Sequence, residues 1–488
     1  IRDRSVSRGL GDVYKRRLSA QAVTVLENKE EILPFTHLDK KRFGVISVGR
    51  QNAQPFVKRL QEYAPIENVS RLNAQSTDKE IKGIVDVISH STQTIIAIFS
   101  DKKEEIQLAE KILKKATGKI LVFFTSPYTI PKYEELTAEA DAIIVAYENN
   151  PVMQECAAEV LFGGNSADGK LPVSTGKYLQ GSGIFIPECR LGHAFPEEVD
   201  MDSRILSRID SIVQEGIDSM AFPGCQIIIT RHKKIIYDRA FGYFDYEKKR
   251  PVSTNDLYDL ASITKAMGTL PAIMWLNDHE QVSLNAPLCF YLPEMRDYGL
   301  SAITLRQTLM HESGLPAGIS LRRLLIDPDS YSAPLLKRGR DSEYPIQVDK
   351  DWFVQKDCRL KPWLFHNKTS RSYPLHIAEE LYASPSLPDS IWHKILSVSK
   401  SDRRYRYSDL NFVILQKLTE RVSGEPLDRF IDRRLLQPIG AYHTTFRPRE
   451  KFPITDIVPT ENDRLFRRQL VVGYPHDEPV SYTHLTLP

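Results

Sequence analysis

Ser262 and Lys265 are the two residues of this chain whose types and spacing most directly suggest chemistry. They stand three residues apart, just before an apolar segment from Ala266 to Leu276 that predicts a buried helix. Side chains at that spacing share one helical face, so the lysine amine can take the proton of the serine hydroxyl. A serine activated in this way is a nucleophile for acyl transfer.

The spacing is not specific by itself, because three other pairs of this chain share it. They are Ser76/Lys79, Ser174/Lys177 and Ser397/Lys400. At a helix N-terminus, unpaired backbone amides and the helix dipole stabilise negative charge that develops on a serine oxygen. The predicted helix gives this setting to Ser262 and not to the other three serines, so we take Ser262 and Lys265 as the candidates.

Two later segments accompany this pair. The first, residues 305–315, is a short amphipathic stretch that contains His311-Glu312-Ser313-Gly314-Leu315 and stops at its glycine. The second is Tyr407-Ser408-Asp409, which leads into another apolar helix predicted to run through Leu418. In this order, the three segments resemble the motifs of the serine β-lactamase and penicillin-binding-protein superfamily. Within it, the resemblance is to the class C and esterase-like members.

The resemblance implies a role for each matched residue. Ser262 would be the acylated nucleophile, Lys265 its proton acceptor, and Tyr407 the group that relays the proton toward the leaving group. Asp409 would bind substrate, but it stands where class C enzymes carry an asparagine, which leaves recognition of β-lactams open. Each residue also has a structural alternative: a helix cap for Ser262, a surface charge for Lys265 and a core aromatic for Tyr407. His311 is interpreted as structural.

The superfamily also uses a third element, Lys-Thr-Gly or His-x-Gly, which the sequence after Tyr407 does not match. The segments that begin at His443 and His476 lack the glycine. The final residues, 480–488, resemble the translation of a sequencing adapter. We therefore expect an incomplete site and little or no turnover by the 488-residue chain, since loss of one oxyanion donor costs about 10²–10³ in rate.

Residues 1–185 alternate between strand-like and helical segments. Short apolar runs predict strands at Phe43–Val48, Thr94–Phe99, Ile120–Phe124 and Ala142–Ala146. Amphipathic stretches predict helices near Ala53–Tyr63, Lys79–Ser89 and Lys103–Ala116. This alternation predicts an α/β domain with a largely parallel sheet.

The ends of these strands carry Thr125-Ser126-Pro127-Tyr128 and residues 146–151, and the region closes with Leu161-Phe162-Gly163-Gly164 and residues 169–174. These segments resemble the C-terminal α/β domain of family 3 glycoside hydrolases, particularly the β-N-acetylhexosaminidase-like branch. That family carries its catalytic carboxylates on a preceding barrel. A glycosidase needs two carboxylates that flank the scissile bond, and this region supplies no such pair, so we expect no sugar cleavage by this domain alone.

The sequence thus predicts an α/β domain with a largely parallel sheet at residues 1–185 and a linker at residues 186–200. An incomplete α+β domain of β-lactamase/transpeptidase type follows at residues 201–479. That domain begins with a helical stretch at 201–220 and a hairpin formed by Cys225–Thr230 and Lys234–Ala240, which indicates an antiparallel sheet. Residues 317–400 read as an insertion.

Composition and net charge limit the kinds of binding partner that we expect. The net charge of +2 gives no reason to expect nucleic acid, and no apolar run reaches the length of a membrane span. We expect no metal and no cofactor, and a small-molecule, peptidoglycan-derived or glycan-derived substrate. The family resemblance suggests the periplasm or cell envelope.

The sequence favours a serine acyl hydrolase that acts on an amide or ester, joined to a glycosidase auxiliary domain. Two alternatives stay open. One is a β-N-acetylhexosaminidase whose catalytic barrel lies outside this sequence, and the other is a binding module without catalytic activity.

Overall fold

The computed structural model describes residues 10–476 except Glu67, Ala333 and Arg403, together with the backbone of residues 486–487. The rest of the adapter-like stretch at 480–488 lies outside the described residues. Contacts along the chain divide it into two compact units. The first unit runs to Thr254 and includes Gln437–Tyr442, and the second comprises Asn255–Leu436 and the residues from His443 onward. The boundaries predicted from sequence, at 186–200 and 317–400, stay predictions.

The first unit contains nine strands and nine α-helices among its described residues. The strands are β1 Thr24–Asn28, β2 Phe43–Val48, β3 Asn68–Leu72, β4 Gln93–Ile98, β5 Lys119–Phe123, β6 Ala142–Val145, β7 Gly192–His193, β8 Gly224–Arg231 and β9 Lys234–Gly242. The helices before the second unit are α1 Leu10–Ala22, α2 Gln54–Gln61, α3 Asp78–His90, α4 Lys103–Leu113, α5 Glu134–Ala138, α6 Pro151–Phe162, α7 Ser203–Leu206 and α8 Arg208–Asp218. The ninth is the short helix Gln437–Ile439.

Six of these strands form one sheet in the order β1-β6-β5-β4-β2-β3. Five of the six are parallel, and β1 pairs with β6 in the antiparallel direction. The largely parallel sheet predicted for this region is therefore confirmed. The central strands β2, β4, β5 and β6 are buried along nearly their whole length, which explains their continuous apolar runs, because helices cover both faces of such a sheet.

A buried charge network ties α1 to α6. The Arg16 guanidinium donates to both carboxylate oxygens of Glu159, at 2.9 and 3.0 Å, and Arg59 approaches the same carboxylate at 3.5 Å. The Glu159 side chain has no solvent exposure. Burial alone would raise the pKa of Glu159, but the His193 ring, whose Nδ1 lies 3.4 Å from the carboxylate, and the charges of Arg16 and Arg59 lower it below its ordinary value. Glu159 is therefore held as a carboxylate inside the unit.

The predicted hairpin is confirmed as β8 and β9, which pair from Gly224 opposite Gly242 to Arg231 opposite Lys234. His232 and Lys233 form the two-residue turn. Both have positive φ, as expected for the tight turns that match the twist of the strands. Within the predicted linker, β7 adds to this hairpin by pairing in parallel with β9. The Lys234 ammonium also donates to Gly164 O at 2.6 Å, so the hairpin is packed within the first unit.

The second unit is built from short elements. Its strands are β10 Tyr258–Asp259, β11 Leu336–Arg338, β12 Ile346–Asp349, β13 Trp352–Val354, β14 Phe365–His366, β15 Leu375–Ala378, β16 Leu381–Ala383, β17 Pro459–Asp463, β18 Gln469–Val472 and β19 Thr486–Leu487. Its α-helices are α9 Leu270–Asp278, α10 Leu305–Leu309, α11 Arg322–Leu325, α12 Ser386–Leu396, α13 Asp409–Ser423 and α14 Leu427–Ile431. Among the described residues, the strands pair in antiparallel sheets of two or three strands.

The longest helix of the second unit, α13, is positioned by its buried face. Leu410, Ile414, Leu415 and Leu418 are buried along it, and a glycine at position 424 with φ of 74° ends the helix. A left-handed residue of this kind is a common helix stop, and glycine adopts it without steric cost. The packing of α13 fixes the start of the helix, where Asp409 lies.

Across the described part of the chain, no helix is long and apolar enough to cross a membrane.

We predict that Arg16→Met destabilises the first unit by about 3 kcal/mol, because it leaves the Glu159 carboxylate buried with weaker compensation. All four tryptophans lie at positions 275–392, so fluorescence would report on the second unit. Hydrogen exchange of α6 amides across a urea series measures the effect directly. The matched control is Lys114→Met, which removes an exposed pair with Glu135. Equal exchange in the two variants would contradict this account.

Candidate active site

The turn before Ser262 is held by the carboxylate of Asp259 at the end of β10. Its Oδ1 accepts the backbone N–H of Ala261 at 2.8 Å, and its Oδ2 accepts Thr460 Oγ1 and the backbone N–H of His476, each at 2.9 Å. Ala261 has a φ of 44°, in the left-handed region that costs a residue with a Cβ about 1–2 kcal/mol. The Asp259 hydrogen bonds stabilise this conformation, which sets the direction in which Ser262 leaves the turn.

Ser262 directly precedes a helical segment, as the sequence predicts. That segment begins with helical residues 263–264, passes through a π-helix at Lys265–Thr269 and continues as α9. π-Helical turns are rare and are frequent at functional sites. The Lys265 backbone N–H donates to the Ser262 carbonyl at 3.1 Å, and the Lys265 Nζ donates to the Ser262 Oγ at 3.0 Å. The turn therefore brings the two side chains of the predicted pair into hydrogen-bond contact.

Tyr407 and Asp409 reach the same two side chains from the start of α13. The Tyr407 hydroxyl donates to Ser262 Oγ at 2.9 Å, and the Asp409 Oδ1 lies 2.7 Å from Lys265 Nζ. The ammonium also stands 5.3 Å from the centroid of the Tyr407 ring and 6.0 Å from that of Phe412, within reach of cation–π attraction. All four residues predicted as the site thus lie together. Their catalytic and substrate-binding roles stay predictions.

The charge of Lys265 follows from these contacts. The side chain is 15% exposed, and burial alone would lower the pKa of its amine. The hydrogen bonds with Asp409 and Tyr407, together with the negative charge of Asp409, outweigh burial and raise the pKa of Lys265 above its ordinary value. Lys265 is therefore an ammonium that donates to Ser262 in this structure. It must lose one proton before it can accept the serine's proton.

His311 lies beside this group as part of the second matched segment. Its ring centroid is 4.8 Å from that of Tyr407, and its Nδ1 lies 3.1 Å from the backbone nitrogen of Ser408. Asn411, which sequence reasoning missed, is fully buried and lies 3.2 Å from the same Nδ1. The available signal was a polar residue at a core-facing position of the apolar helix α13. Asp259 was also missed, because a single acid in a short strand has no distinguishing pattern.

The structure separates Ser262 and Lys265 from the other matches to their spacing. Ser397 Oγ donates to the His393 carbonyl at 2.6 Å, and Lys400 donates to the Gly299 carbonyl. The remaining two serines accept backbone N–H groups, Ser76 from Asn73 and Ser174 from Gln180. Of these four pairs, the described hydrogen bonds join serine to lysine at Ser262 and Lys265 alone.

The described residues contain no group of three or more His, Cys, Asp or Glu side chains placed to hold a metal ion. Beside its own nucleophilic hydroxyl, Ser262 has one amine, one phenol and one carboxylate as neighbours. Such a set can transfer protons to and from an attacking serine oxygen.

Comparison with known proteins identifies the family of the chain. The family model for beta-lactamases matches residues 209–472, which is more than half of the 488-residue chain. The chain therefore belongs to the beta-lactamase family.

Similar proteins include a curated relative from Salmonella agona (strain SL483) named "Putative D-alanyl-D-alanine carboxypeptidase", which is 25% identical over 314 residues. The match covers 59% of this chain and 61% of that relative, so the chain spans less than two thirds of its length.

Solved structures with some likeness include an octameric penicillin-binding protein homologue from Pyrococcus abyssi. It is 20% identical, has a TM-score of 0.36, and the match covers 58% of this chain and 53% of that one. A family 3 β-N-acetylglucosaminidase from Paenibacillus sp. str. FPU-7 is 18% identical with a TM-score of 0.28, over 34% of this chain and 32% of that one.

We predict that Asp409→Asn lowers the pKa of Lys265, because the amide keeps the shape of the carboxylate and removes its charge. The rate at which Lys265 reacts with an amine-specific reagent, followed by peptide mass spectrometry across pH, measures this pKa. Lys114, an exposed lysine paired with Glu135 in the first unit, is the internal control whose profile stays unchanged. An unchanged Lys265 profile in the variant would show that Asp409 does not set its charge.

Proposed function

Starting from this family membership, we propose that the chain is a serine acyl hydrolase in which Ser262 attacks the carbonyl carbon of an amide or ester. One observation carries the proposal. Ser262 Oγ lies within hydrogen-bond distance of two different proton-transfer groups, Lys265 Nζ at 3.0 Å and Tyr407 OH at 2.9 Å. A nucleophile needs a base to take its proton, and the leaving group needs an acid to give it one. The site offers both.

In the attack step, the neutral amine of Lys265 takes the hydroxyl proton of Ser262 while the Oγ–carbon bond forms. The carbonyl oxygen becomes an oxyanion, and Lys265 becomes an ammonium beside the Asp409 carboxylate. The ion pair at 2.7 Å favours this charged state. The carboxylate therefore stabilises the product of proton transfer, although it also raises the pH at which Lys265 first becomes neutral.

In the second step, the oxyanion collapses and the bond from carbon to the leaving nitrogen or oxygen breaks. Tyr407 gives its hydroxyl proton to the leaving group. The Lys265 ammonium then returns one proton to the Tyr407 phenolate, which leaves a neutral amine and a neutral phenol as before the attack. An ester between Ser262 and the acyl group remains. A water molecule then repeats the sequence on this ester, with its proton taken by the same groups, and releases the acid and free Ser262.

The presence of an aspartate at position 409 limits which substrate groups this side chain can bind. An asparagine amide both donates and accepts hydrogen bonds, whereas an ionised carboxylate only accepts them. The Asp409 side chain is 53% exposed, so it can contact a bound substrate while it holds Lys265. We therefore expect the Asp409 carboxylate to accept a hydrogen bond from an N–H or ammonium group of the substrate, and not to contact a carbonyl oxygen.

The similarity to a relative named for D-alanyl-D-alanine carboxypeptidase supports a peptide amide of peptidoglycan origin as the substrate, and the periplasm or cell envelope as the location. Such a peptide carries N–H groups close to its scissile bond, which suits an acceptor at Asp409. The first unit would be an auxiliary domain of glycosidase type.

Covalent labelling tests the nucleophile. A fluorophosphonate probe and a fluorescent penicillin are each incubated with the chain, and intact mass with peptide mapping locates any adduct. We expect one adduct, on Ser262, that is lost in Ser262→Ala and retained in Ser397→Ala, the matched serine of another Ser-x-x-Lys pair. The first covalent modification of the serine is stoichiometric, so it is measurable even where turnover is slow. An adduct that survives Ser262→Ala would refute the proposal.

Tyr407→Phe tests the proton relay. Removal of a positioned acid–base group costs about 10²–10⁴ in rate, so we expect a loss of that size in the rate constant for Ser262 acylation. Tyr405→Phe removes the hydroxyl of a neighbouring tyrosine that is 71% exposed, and it serves as the control. Equal acylation rates in the two variants would remove Tyr407 from the mechanism.

A further inference from the structure

His311 occupies a position that the proposed chemistry does not use. It follows α10 with a φ of 57°, a left-handed conformation that is uncommon outside glycine. Its ring faces three aromatic rings, those of Tyr405, Tyr407 and Phe412, with centroid separations of 6.2, 4.8 and 5.4 Å. The residue is therefore fixed both by its backbone and by the packing of its ring.

The hydrogen bonds of His311 fix the position of its proton. Its Nδ1 accepts the backbone N–H of Ser408 at 3.1 Å, and a backbone N–H can only donate. The Asn411 Nδ2 lies 3.2 Å from the same atom. Asn411 Oδ1 accepts the Ser313 hydroxyl at 2.6 Å, which directs the amide nitrogen toward His311. Two donors thus meet at Nδ1, so the ring is neutral and carries its proton on Nε2.

The segment that begins with His311 also holds the residues on both sides of Tyr407. The His311 carbonyl accepts the backbone N–H of Arg406 at 2.9 Å. Pro316 and Ala317 provide two further carbonyls, which accept the Ser408 hydroxyl at 2.6 Å and the Asp409 backbone N–H at 2.9 Å. Among the described hydrogen bonds, those of the His311 ring and carbonyl oxygen reach Arg406, Ser408 and Asn411, and none joins His311 to Ser262.

We propose that His311 is a positioning residue that holds Tyr407 and Asp409 against Ser262 and Lys265, and that it does so only while its Nδ1 is an unprotonated acceptor. The inference rests on the proposed function of Ser262. It assigns to the second motif segment a role that neither the motif pattern nor the similarity to other proteins provides.

Protonation of His311 would place a third donor against Ser408 and Asn411, so the contact would break. The charged and titratable groups that face the ring are Lys265, Asp409, Tyr405 and Tyr407. Burial and then the positive charge of Lys265 lower the pKa of His311, and the Asp409 carboxylate opposes them. Because the folded pKa lies below the ordinary value, the contact is intact at neutral pH and is lost as the pH falls through the lowered pKa.

Two variants distinguish the hydrogen-bond acceptor at His311 Nδ1 from the packing of the His311 ring. His311→Asn places an amide oxygen near the position of Nδ1, tolerates a positive φ, and cannot be protonated in this range. His311→Phe keeps an aromatic ring against Tyr407 and has no acceptor. His376→Asn changes a histidine that is hydrogen-bonded to Tyr474 in the same unit, and it serves as the control.

The test is the pH dependence of the rate constant for phosphonylation of Ser262 by the fluorophosphonate, in which Oγ displaces fluoride from phosphorus, measured on the full chain by intact mass. Deprotonation of Lys265 gives a logarithmic slope of about 1, and each further group that must lose a proton adds about 1. We expect wild type and His376→Asn to steepen to about 2 at acid pH. His311→Asn should remain at about 1 and retain phosphonylation of Ser262, whereas His311→Phe should lose about 10²-fold in this rate at all pH values, since small misplacements of reacting groups cost that much.

A pH–rate slope that still steepens in His311→Asn, or a normal rate in His311→Phe, would overturn the inference about His311. The proposed function would stand in that case, provided that Ser262 is still labelled. If Ser262 is not labelled at all, the proposed function fails, and ¹⁵N NMR of histidine-labelled chain decides the inference separately. We expect the His311 signal, identified by its loss in His311→Asn, to show a neutral ring with its proton on Nε2. A proton on Nδ1 at neutral pH would contradict the assignment.

Discussion

The site depends on one buried positive charge. Lys265 is largely shielded from water, and a buried ammonium is costly unless an opposite charge and hydrogen-bond acceptors surround it. Asp409 supplies the charge, and Ser262 Oγ supplies an acceptor at 3.0 Å. This arrangement fixes the serine in contact with its base and holds the start of α13 against the helix that carries Lys265. The same carboxylate keeps Lys265 protonated, so the interaction that assembles the site also determines when it becomes reactive.

Around this charge, the second unit brings together chain segments that are far apart in sequence. Asp259 connects the strained turn at Ala261 to the segment at Thr460, and Ser313 bonds to Asn411 across 98 positions of sequence. Each buried polar group in this network has a partner, which rigidifies such networks and makes each member matter to the others. The left-handed conformations of Ala261 and His311 flank the reacting groups. Strained backbone of this kind persists where surrounding contacts stabilise it.

The sequence predicts some parts of this structure well for physical reasons. Strands buried on both faces, such as β2 and β4, are continuous apolar runs and were recognised. The edge strand β3 was not, because it is mostly exposed and therefore polar. Strands of two to four residues between positions 336 and 383 are too short to show a period. The spacing of Ser262 and Lys265, the helix predicted after them and the family resemblance that includes Tyr407 and Asp409 predict the site residues. The ion pair between Lys265 and Asp409 depends on packing that these sequence features do not encode.

The central claim is that Ser262 becomes reactive when Lys265 loses its proton to form a neutral amine. The most direct measurement compares the ionisation seen in the pH dependence of Ser262 acylation with the ionisation of Lys265 itself, in wild type and in Asp409→Asn. The account predicts that the two coincide in wild type and move together to lower pH in the variant. Acylation whose ionisation stays in place while that of Lys265 moves would contradict it.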